Sequence, residues 1–492
     1  MVSASCFTSV KVDRIAFLAI VFCVVLTADS AAGWGPRRVL YTHGDCVSET
    51  LDVARVEGTG WIALWDAANP RCATGTRRTY QLRTATSEDG RRWGDHHLLP
   101  DGFEIPALRT AGGDGLHVHK RDRVLVLGAR PAAGREPSQL NRVLQLARLS
   151  ADGLEWRHDL DGGRLLYGSD GDSGSGLPSD VDDARPVISL APNGRGVAVW
   201  ARLVDDDPDS PVGQVYARVR GKRGRFRAAK ALGAPGQPSG LAVDVNDRGE
   251  AALAWCRDRA DLMLRTRRPR QGWSDSERLG SCSDANEVDV TLDDRGRVAV
   301  AWAATRYEPH PNGIWRNEIA EGVRATVGTL ENRVRVRTLS RDGRGAQVLL
   351  ARDGTALVAW SGPYSGPTRG VRFARVGGRS VRSKGAITGK KGHELVDLAP
   401  DTRGRGVVLW GARGAAFFTR AIGRHGNVGR RELVFRVDPF EGTLVLEAAN
   451  LGLDLAGPRA VAIWSHARTD SRATPTRSTV EAAVLDAGAM LR

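Results

Sequence analysis

Short runs in which apolar and polar positions alternate recur in pairs along this chain, each pair split by a polar turn and closed by a tryptophan. Residues 241–255, LAVDVNDRGEAALAW, show the unit most clearly. It returns as PVISLAPNGRGVAVW ending at Trp200, VDVTLDDRGRVAVAW ending at Trp302, AQVLLARDGTALVAW ending at Trp360 and LVDLAPDTRGRGVVLW ending at Trp410. In all five a glycine stands six residues before the tryptophan: Gly194, Gly249, Gly296, Gly354 and Gly404. Period-2 alternation on both sides of such a turn predicts a β-hairpin, with apolar residues on shared faces and glycine at a position of positive φ.

Looser copies, WIALW to Trp65, RVLVLG to Gly128 and GPRAVAIW to Trp464, extend the markers to 65, 128, 200, 255, 302, 360, 410 and 464. Repeats of about 40 to 55 residues made of short strands are the pattern of propeller blades. The expectation is an all-β β-propeller of four-stranded antiparallel blades, eight by motif count, with seven left open. The blades fall at about 46–100, 105–159, 185–235, 238–282, 286–340, 345–388, 393–436 and 442–492, and the polar stretch 168–183 reads as a loop. The last repeat supplies three strands. Val39 to Tyr41, in the lone segment RRVLY, would complete it as the outer strand, because an open ring leaves sheet edges unmatched. Within AALAW, Ala251, Leu253 and Trp255 share one face and Ala252 and Ala254 the other. An indole set against a small-residue face fills the wedge between tilted sheets. Trp200, Trp255, Trp302, Trp360, Trp410 and Trp464 therefore read as core.

The first 32 residues follow a different pattern. Lys11 and Arg14 precede an apolar run, Ile15 to Ala28, which is followed by Ser30-Ala31-Ala32 and Gly33. That order marks a secretory signal, and the run is shorter than the roughly 20 residues a membrane span needs. Residues 1–32 are expected to be a signal peptide and 33–492 one secreted, monomeric propeller domain without a transmembrane segment. An uncleaved anchor is the alternative. Cys6 and Cys23 would leave with the signal, and Cys46, Cys72, Cys256 and Cys282 then permit three pairings. The two sequence-local pairs are expected, since in an up-and-down blade all four positions lie at one end of the sheet. Exported chains favour disulfides over free thiols, and the spacing is too wide for a metal cluster.

A formal net charge of +14, almost all from arginine, would suit a polyanion. The arginines, however, alternate with apolar residues, as at Arg333, Arg335 and Arg337 around Val334 and Val336, which is the pattern of a solvated outer strand. No dedicated nucleic-acid role is expected. His117 and His119 share a strand face without an identifiable third ligand. Asp170, Asp172, Asp205 to Asp207 and Asp209 are oxygen donors that could take calcium, but their spacing fails the EF-hand template. No cofactor is therefore expected. Neither a Walker loop, a dinucleotide fingerprint, HExxH nor GxSxG occurs.

Two heptapeptides carry a family resemblance. Ser87-Glu88-Asp89-Gly90-Arg91-Arg92-Trp93 and Ser150-Ala151-Asp152-Gly153-Leu154-Glu155-Trp156 both read Ser-x-Asp-Gly-x-x-Trp. They resemble the Asp-box, or BNR repeat, of the sialidase-like secreted propellers, Ser-x-Asp-x-Gly-x-Thr-Trp, one residue shorter. Ser and Asp side chains can bond backbone amides across such a turn, and Gly90 and Gly153 permit its geometry. The resemblance implies fold and not activity, because in that family these boxes lie away from the catalytic pocket. Phe103 to Arg109, FEIPALR, is similar to the Phe/Tyr-Arg-Ile-Pro-Ala-Leu segment opening a sialidase domain. Glu104 stands where that family places a substrate-binding arginine, and a carboxylate there repels an anionic substrate. Tyr41, Tyr80, Tyr167, Tyr216, Tyr307 and Tyr364 are available as nucleophiles, but no motif selects one.

Loops joining second to third strands, at 203–213, 303–313, 361–370 and 465–478, should gather on one face, where recognition residues commonly lie. Two functions follow as expectations. One is an exported, non-catalytic propeller binding a glycan, protein or cell-envelope ligand on that face. The other is a sialidase-like glycoside hydrolase with an arginine pocket and paired acidic residues.

Overall fold

The computed structural model describes residues 37–43, 51–56, 60–68, 80–99, 116–119, 123–131, 142–150, 153–161, 186–205, 212–258, 260–282, 288–309, 316–332, 335–362, 370–389, 393–400, 406–412, 416–423, 425–436, 444–445, 451–456, 459–469 and 475–486. Among the described residues the structure is all β, and no helix is long and apolar enough to cross a membrane. The strands form eight sheets, each built on antiparallel pairs. The first sheet is Leu51–Val56, Gly60–Ala68, Tyr80–Ser87 and His97–Leu98; the second is Leu116–His119, Arg123–Pro131, Arg142–Ser150 and Gly153–Asp159. The third is Val187–Leu190, Gly196–Asp205, Val212–Arg220 and Lys230–Gly236. In the fourth, Pro238–Val245, Ala251–Arg257 and Asp261–Arg268 are followed by two short segments, Gly272–Trp273 and Glu277–Ser281, that both pair with Asp261–Arg268. The fifth is Val288–Leu292, Arg297–Pro309, Arg316–Thr329 and Arg337–Thr338; the sixth is Arg344–Leu350, Ala356–Ser361, Val371–Val376 and Val381–Ala386. The seventh is His393–Pro400, Gly406–Ala412, Ala416–Ile422 and Glu432–Arg436. In the eighth, Leu444–Val445 and Leu451–Ala456 pair with Arg459–Thr469, which pairs with Pro475–Asp486. Arg38–His43, from the start of the described chain, pairs antiparallel with Pro475–Asp486 at the edge of this sheet.

The glycine-tryptophan units fold as hairpins for a local reason. Gly194, Gly249, Gly296 and Gly354 have φ of 88°, 77°, 76° and 84°. Each donates its amide to the carbonyl three residues earlier, as Gly249 does to Asn246 at 2.8 Å and Gly296 to Asp293 at 3.0 Å. The amide of that earlier residue returns a bond to the carbonyl just after the glycine, as Asn246 does to Glu250 at 3.1 Å. This is a type I turn followed by a left-handed residue, which only glycine occupies without cost. Asn246 and Asp293 reinforce it with Oδ1 accepting two turn amides each. Gly404 lies outside the described residues.

The alternation sends each strand's two faces into different cores. Ala251, Leu253 and Trp255 pack with Val197, Val199 and Val215 of the third sheet, while Ala252, Ala254 and Cys256 pack with Val298, Val300 and Trp302 of the fifth. The rule repeats around the molecule. Trp200 faces Leu144 and Leu146 of the second sheet, Trp360 faces Ala299, Ala301 and Ala325 of the fifth, and Trp410 faces Leu357 and Ala359 of the sixth. Trp65 of the first sheet meets Val461, Ile463 and Val480 of the eighth. Trp65, Trp200, Trp302 and Trp410 are wholly buried. The leading strands of successive sheets also touch in order, and Leu451–Ala456 of the eighth touches Leu51–Val56 of the first.

Two expectations change. Residues 303–309, expected in a loop, continue the strand Arg297–Pro309, paired with Arg316–Thr329 through a bulge between Ala304 and Thr305. Residues 203–205 and 465–469 likewise extend their strands. Ladder hydrogen bonds continue wherever two antiparallel chains leave a sheet together, whatever the local hydropathy. Of the outer strand expected over 333–337, Arg337 lies in the strand Arg337–Thr338, Arg335 and Val336 lie before it, and 333–334 are outside the described residues.

Cys256 and Cys282 form a disulfide that links the second strand of the fourth sheet to the connection leaving that sheet. Cys46 and Cys72 lie outside the described residues. The bridge spans 26 residues, for which loop closure predicts about 3.5 kcal/mol of stabilisation. The double variant C256S/C282S is expected to lose about that much, read as a lower urea midpoint at unchanged m-value. Because both sulfurs are buried, mild reductant without denaturant is expected to leave the wild-type midpoint unmoved.

Candidate functional site

At the end of the sheets where the second strands finish, each closing indole meets the chain connecting one sheet to the next, and the junctions differ in how they satisfy it. Between the second and third sheets, Asp161 accepts a bond from Trp200 Nε1 at 2.8 Å and from Arg202 Nε at 2.8 Å. Arg202 also lies 4.1 Å over the Tyr216 ring, and its bond to Asp161 raises its pKa above the ordinary arginine range. Between the fourth and fifth sheets, Trp302 Nε1 donates to the Ser281 carbonyl at 2.9 Å, and Arg324 donates to the Ser281 hydroxyl. These junctions are closed by protein groups.

Between the fifth and sixth sheets the arrangement opens. Trp360 is buried, its Nε1 finds no protein acceptor, and it lines a cavity of about 570 Å³. Phe373 adds a second aromatic wall, and Arg341, Arg372 and Lys384 bring three cations against one carboxylate, Asp342. Arg372 stands opposite Trp360 in the strand register, the place Tyr216 takes opposite Trp200. Lys384 Nζ is tethered to the Leu339 carbonyl at 2.9 Å, and Ser340 Oγ bonds Asp342 Oδ1 at 2.9 Å, which fixes the rim. Trp65 and Trp410 also lack an Nε1 acceptor, but rings pack beside them: Tyr41 at 6.2 Å from Trp65, and Phe418 at 5.7 Å from Trp410. A volume of 570 Å³ lies within the roughly 300–1,000 Å³ of small-ligand sites, and mixed aromatic and cationic walls suit a ligand with both apolar faces and negative charge.

A second constellation lies where the leading strands meet. Asp244 Oδ1 accepts from Ser189 Oγ at 3.0 Å and from the Val245 amide at 2.7 Å, and its Oδ2 accepts from the Leu292 amide at 2.7 Å. One carboxylate thereby joins the third, fourth and fifth sheets. Asp289 repeats this toward the sixth sheet, accepting from Val290 at 2.8 Å and Val348 at 2.7 Å, and Gln347 Nε2 donates to the Val396 carbonyl of the seventh at 3.2 Å. Burial pushes the Asp244 carboxyl up to about 6 against four hydrogen bonds that lower it. Burial pushes Asp289 up to about 7, and the charges of Asp244 and Asp397 push the same way. Both side chains keep a little accessible surface. Asp397, whose charge acts on Asp289, stands two sheets away in the seventh.

The turn at Ser87 to Trp93 is held by its own side chains. Ser87 Oγ accepts from the Gly90 amide at 2.8 Å, Asp89 Oδ1 accepts from the Arg91 and Arg92 amides at 2.8 and 2.9 Å, and Trp93 Nε1 donates to the Gly90 carbonyl at 2.9 Å. Gly90 has φ of 74° and faces Val461 and Val484 of the eighth sheet so closely that a Cβ would clash. The box is thus a brace between two sheets. In the second, Ser150 and Gly153 pair across a tight hairpin and Trp156 lies in the last strand of the second sheet, while Asp152 is outside the described residues. Glu104, Tyr167, Tyr364, Asp170, Asp172, Asp206, Asp207 and Asp209 are also outside them. His117 and His119 fall in the leading strand of the second sheet. Among the described residues no group of three His, Cys, Asp or Glu is placed to hold a metal ion. Sequence reasoning passed over the cavity residues, although Ser340-Arg341-Asp342-Gly343 repeats the Ser-x-Asp-Gly of the two boxes. It also passed over Asp289, Gln347 and Asp397, each seven residues before a turn glycine.

No family model matches this chain, and no curated protein is similar to it. Solved structures show loose likenesses. A Dyadobacter fermentans protein of unknown function is 11% identical, with 91% of this chain and 98% of that chain covered and a TM-score of 0.37. A polysaccharide lyase, an ulvan lyase bound to a glucuronate-sulfated rhamnose unit, is 11% identical over 77% of this chain and 94% of its own, at 0.46. Trypanosoma rangeli sialidase is 10% identical over 89% and 92%, at 0.34. At such scores none of these assigns an activity.

The buried carboxylates make stability depend on pH with a definite sign. In the unfolded chain Asp244 and Asp289 ionise near 3.8, while in the fold they stay protonated to about 6 and about 7. The folded state therefore binds more protons across that window, and these groups withdraw stability as pH rises from about 4 to about 7. Urea unfolding at pH 4.5, 6 and 7.5 is expected to show a shallower loss for D289N than for wild type, whatever the variant's absolute stability. Parallel pH profiles would show that the carboxyl does not carry this dependence.

Proposed function

We propose that the eight sheets are the blades of one closed propeller, exported from the cell, that binds an acidic saccharide between its fifth and sixth blades without turning it over. Closure is supported by the order of contacts among leading strands, returning from the eighth sheet to the first, and by Arg38–His43 completing the edge of the eighth. Export is supported by the basic-apolar-small pattern of residues 1–32 and by a buried disulfide, which persists in an oxidising compartment.

The observation that carries the binding reading is a cavity with two aromatic walls, Trp360 and Phe373, in which three cations oppose one carboxylate. Trp360 and Phe373 offer apolar faces to the C–H side of a sugar ring, and Arg341, Arg372 and Lys384 offer counter-charges to a uronate or a sulfate. The tether of Lys384 on Leu339 holds one of those charges in place before a ligand arrives.

The test is a glycan array with acidic and neutral members, read at about 0.05 and about 0.3 M salt so that non-specific attraction is screened out. Acidic glycans are expected to bind at both salts and neutral ones to bind weakly. R341Q, at an exposed position of the rim, and K384Q are each expected to weaken binding by about tenfold at unchanged thermal stability, the size of one hydrogen bond to a charged group. Incubation with the bound glycans is expected to release no new reducing ends. Equal binding of neutral glycans, or wild-type affinity in both variants, would refute the assignment.

A further inference from the structure

At the opposite end of the sheets, where the glycine turns lie, the third and fourth sheets enclose a smaller cavity of about 170 Å³. Its floor holds two guanidinium groups, Arg220 and Arg267, each only 6% exposed. Both are anchored on turn carbonyls, Arg267 Nη1 on Gly249 at 2.7 Å and Arg220 Nη1 on Gly194 at 2.5 Å. Arg195, Lys222 and Arg227 complete the lining, in which no aspartate or glutamate stands. Lys222 and Arg227 flank a fixed turn: the Gly224 amide donates to Gly221 at 2.8 Å, the Gly221 amide to Arg225 at 2.9 Å, and Gly224 has φ of 83°.

Five cations around one small concavity are not a packing device. Burial lowers the Arg267 pKa below the ordinary arginine range, and the charges of Arg227 and Arg195 lower it further. Like charges in a partly desolvated space repel, and a multivalent anion is the species that relieves this while accepting several N–H bonds at once. The volume is below the roughly 300 Å³ of drug-sized sites, so it admits a small anion or a single charged substituent more readily than a sugar ring.

We infer that the cavity between the turn ends of the third and fourth sheets binds a tetrahedral oxyanion: free phosphate or sulfate, or the sulfate ester of a polysaccharide. Arg220 and Arg267 supply the fixed donors, and Arg195, Lys222 and Arg227 close over the anion from the rim. The site is separate from the cavity at Trp360 and does not depend on the reading given to it.

Titration calorimetry of the full chain with sodium sulfate, and separately with inorganic phosphate, in chloride buffer of matched ionic strength is the direct test. Saturable one-to-one binding is expected. K222Q/R227Q, which changes only exposed rim residues and leaves the two anchored arginines in place, is expected to weaken it by about tenfold or more. R341Q is expected to leave it unchanged, so that failure here and failure of the saccharide site are told apart. A sulfated oligosaccharide binding tighter than free sulfate, with its desulfated form inert, points to the ester. Equal affinity for sulfate and the oligosaccharide points to the free anion. The absence of saturable binding by either ion and by the oligosaccharide, or wild-type affinity in K222Q/R227Q, would overturn the inference.

Discussion

A tryptophan at the end of a second strand pressed against the small side chains of the preceding sheet is the contact on which the architecture depends. Sheets with a right-handed twist cannot lie flat on one another, and the gap between them widens toward one end. Alanines at Ala252, Ala254, Ala299, Ala301 and Ala359 keep one face thin, and Trp302, Trp360 and Trp410 fill the space opposite. Truncating a side chain of this size in a close-packed core costs about 3–5 kcal/mol, a large share of any domain's net stability. Indoles under that demand are not free to serve as a stacking platform.

That distinction separates the junctions between sheets. Asp161 and Ser281 close the second-third and fourth-fifth junctions by accepting from Trp200 and Trp302. The fifth-sixth junction keeps the same indole and the same strand register, leaves the indole N–H without a protein acceptor, and opens a cavity beside the ring. A repeat protein can specialise in this way at little cost, because each sheet contacts its neighbours and a change at one junction leaves the others intact.

The leading strands pose the opposite problem. Where successive leading strands meet, backbone amides need acceptors that no ladder supplies. Asp244 and Asp289 provide them, each carboxylate accepting from its own strand and from a neighbouring sheet. The cost is burial of charge, visible in the raised carboxyl pKa values, and it is lessened by keeping these groups protonated over part of the pH range. The +14 net charge has a comparable inner logic. Arg220 and Arg267 are not solvated strand ornaments but buried anchors for turn carbonyls.

The hairpins, their turns and their two-faced strands were legible from alternation alone, because glycine at Gly249 or Gly296 and the six-residue interval to tryptophan are set by local backbone geometry. The turn at Ser87 to Trp93 was legible for the same reason, its hydrogen bonds being made within seven residues. The strand extension over 303–309 was not, since ladder pairing depends on the partner chain and not on the hydropathy of one strand. Nor were the cavity at Trp360, the carboxylates at Asp244 and Asp289, or the arginine cluster at Arg267. Their meaning arises from which sheet stands beside which: residues 40 to 60 positions apart become neighbours only when successive sheets pack. By itself the sequence determined the repeating unit and which face of each strand is apolar, both local properties. The tertiary structure decided which donors are left unsatisfied and which charges share a space, because those depend on the distances between sheets.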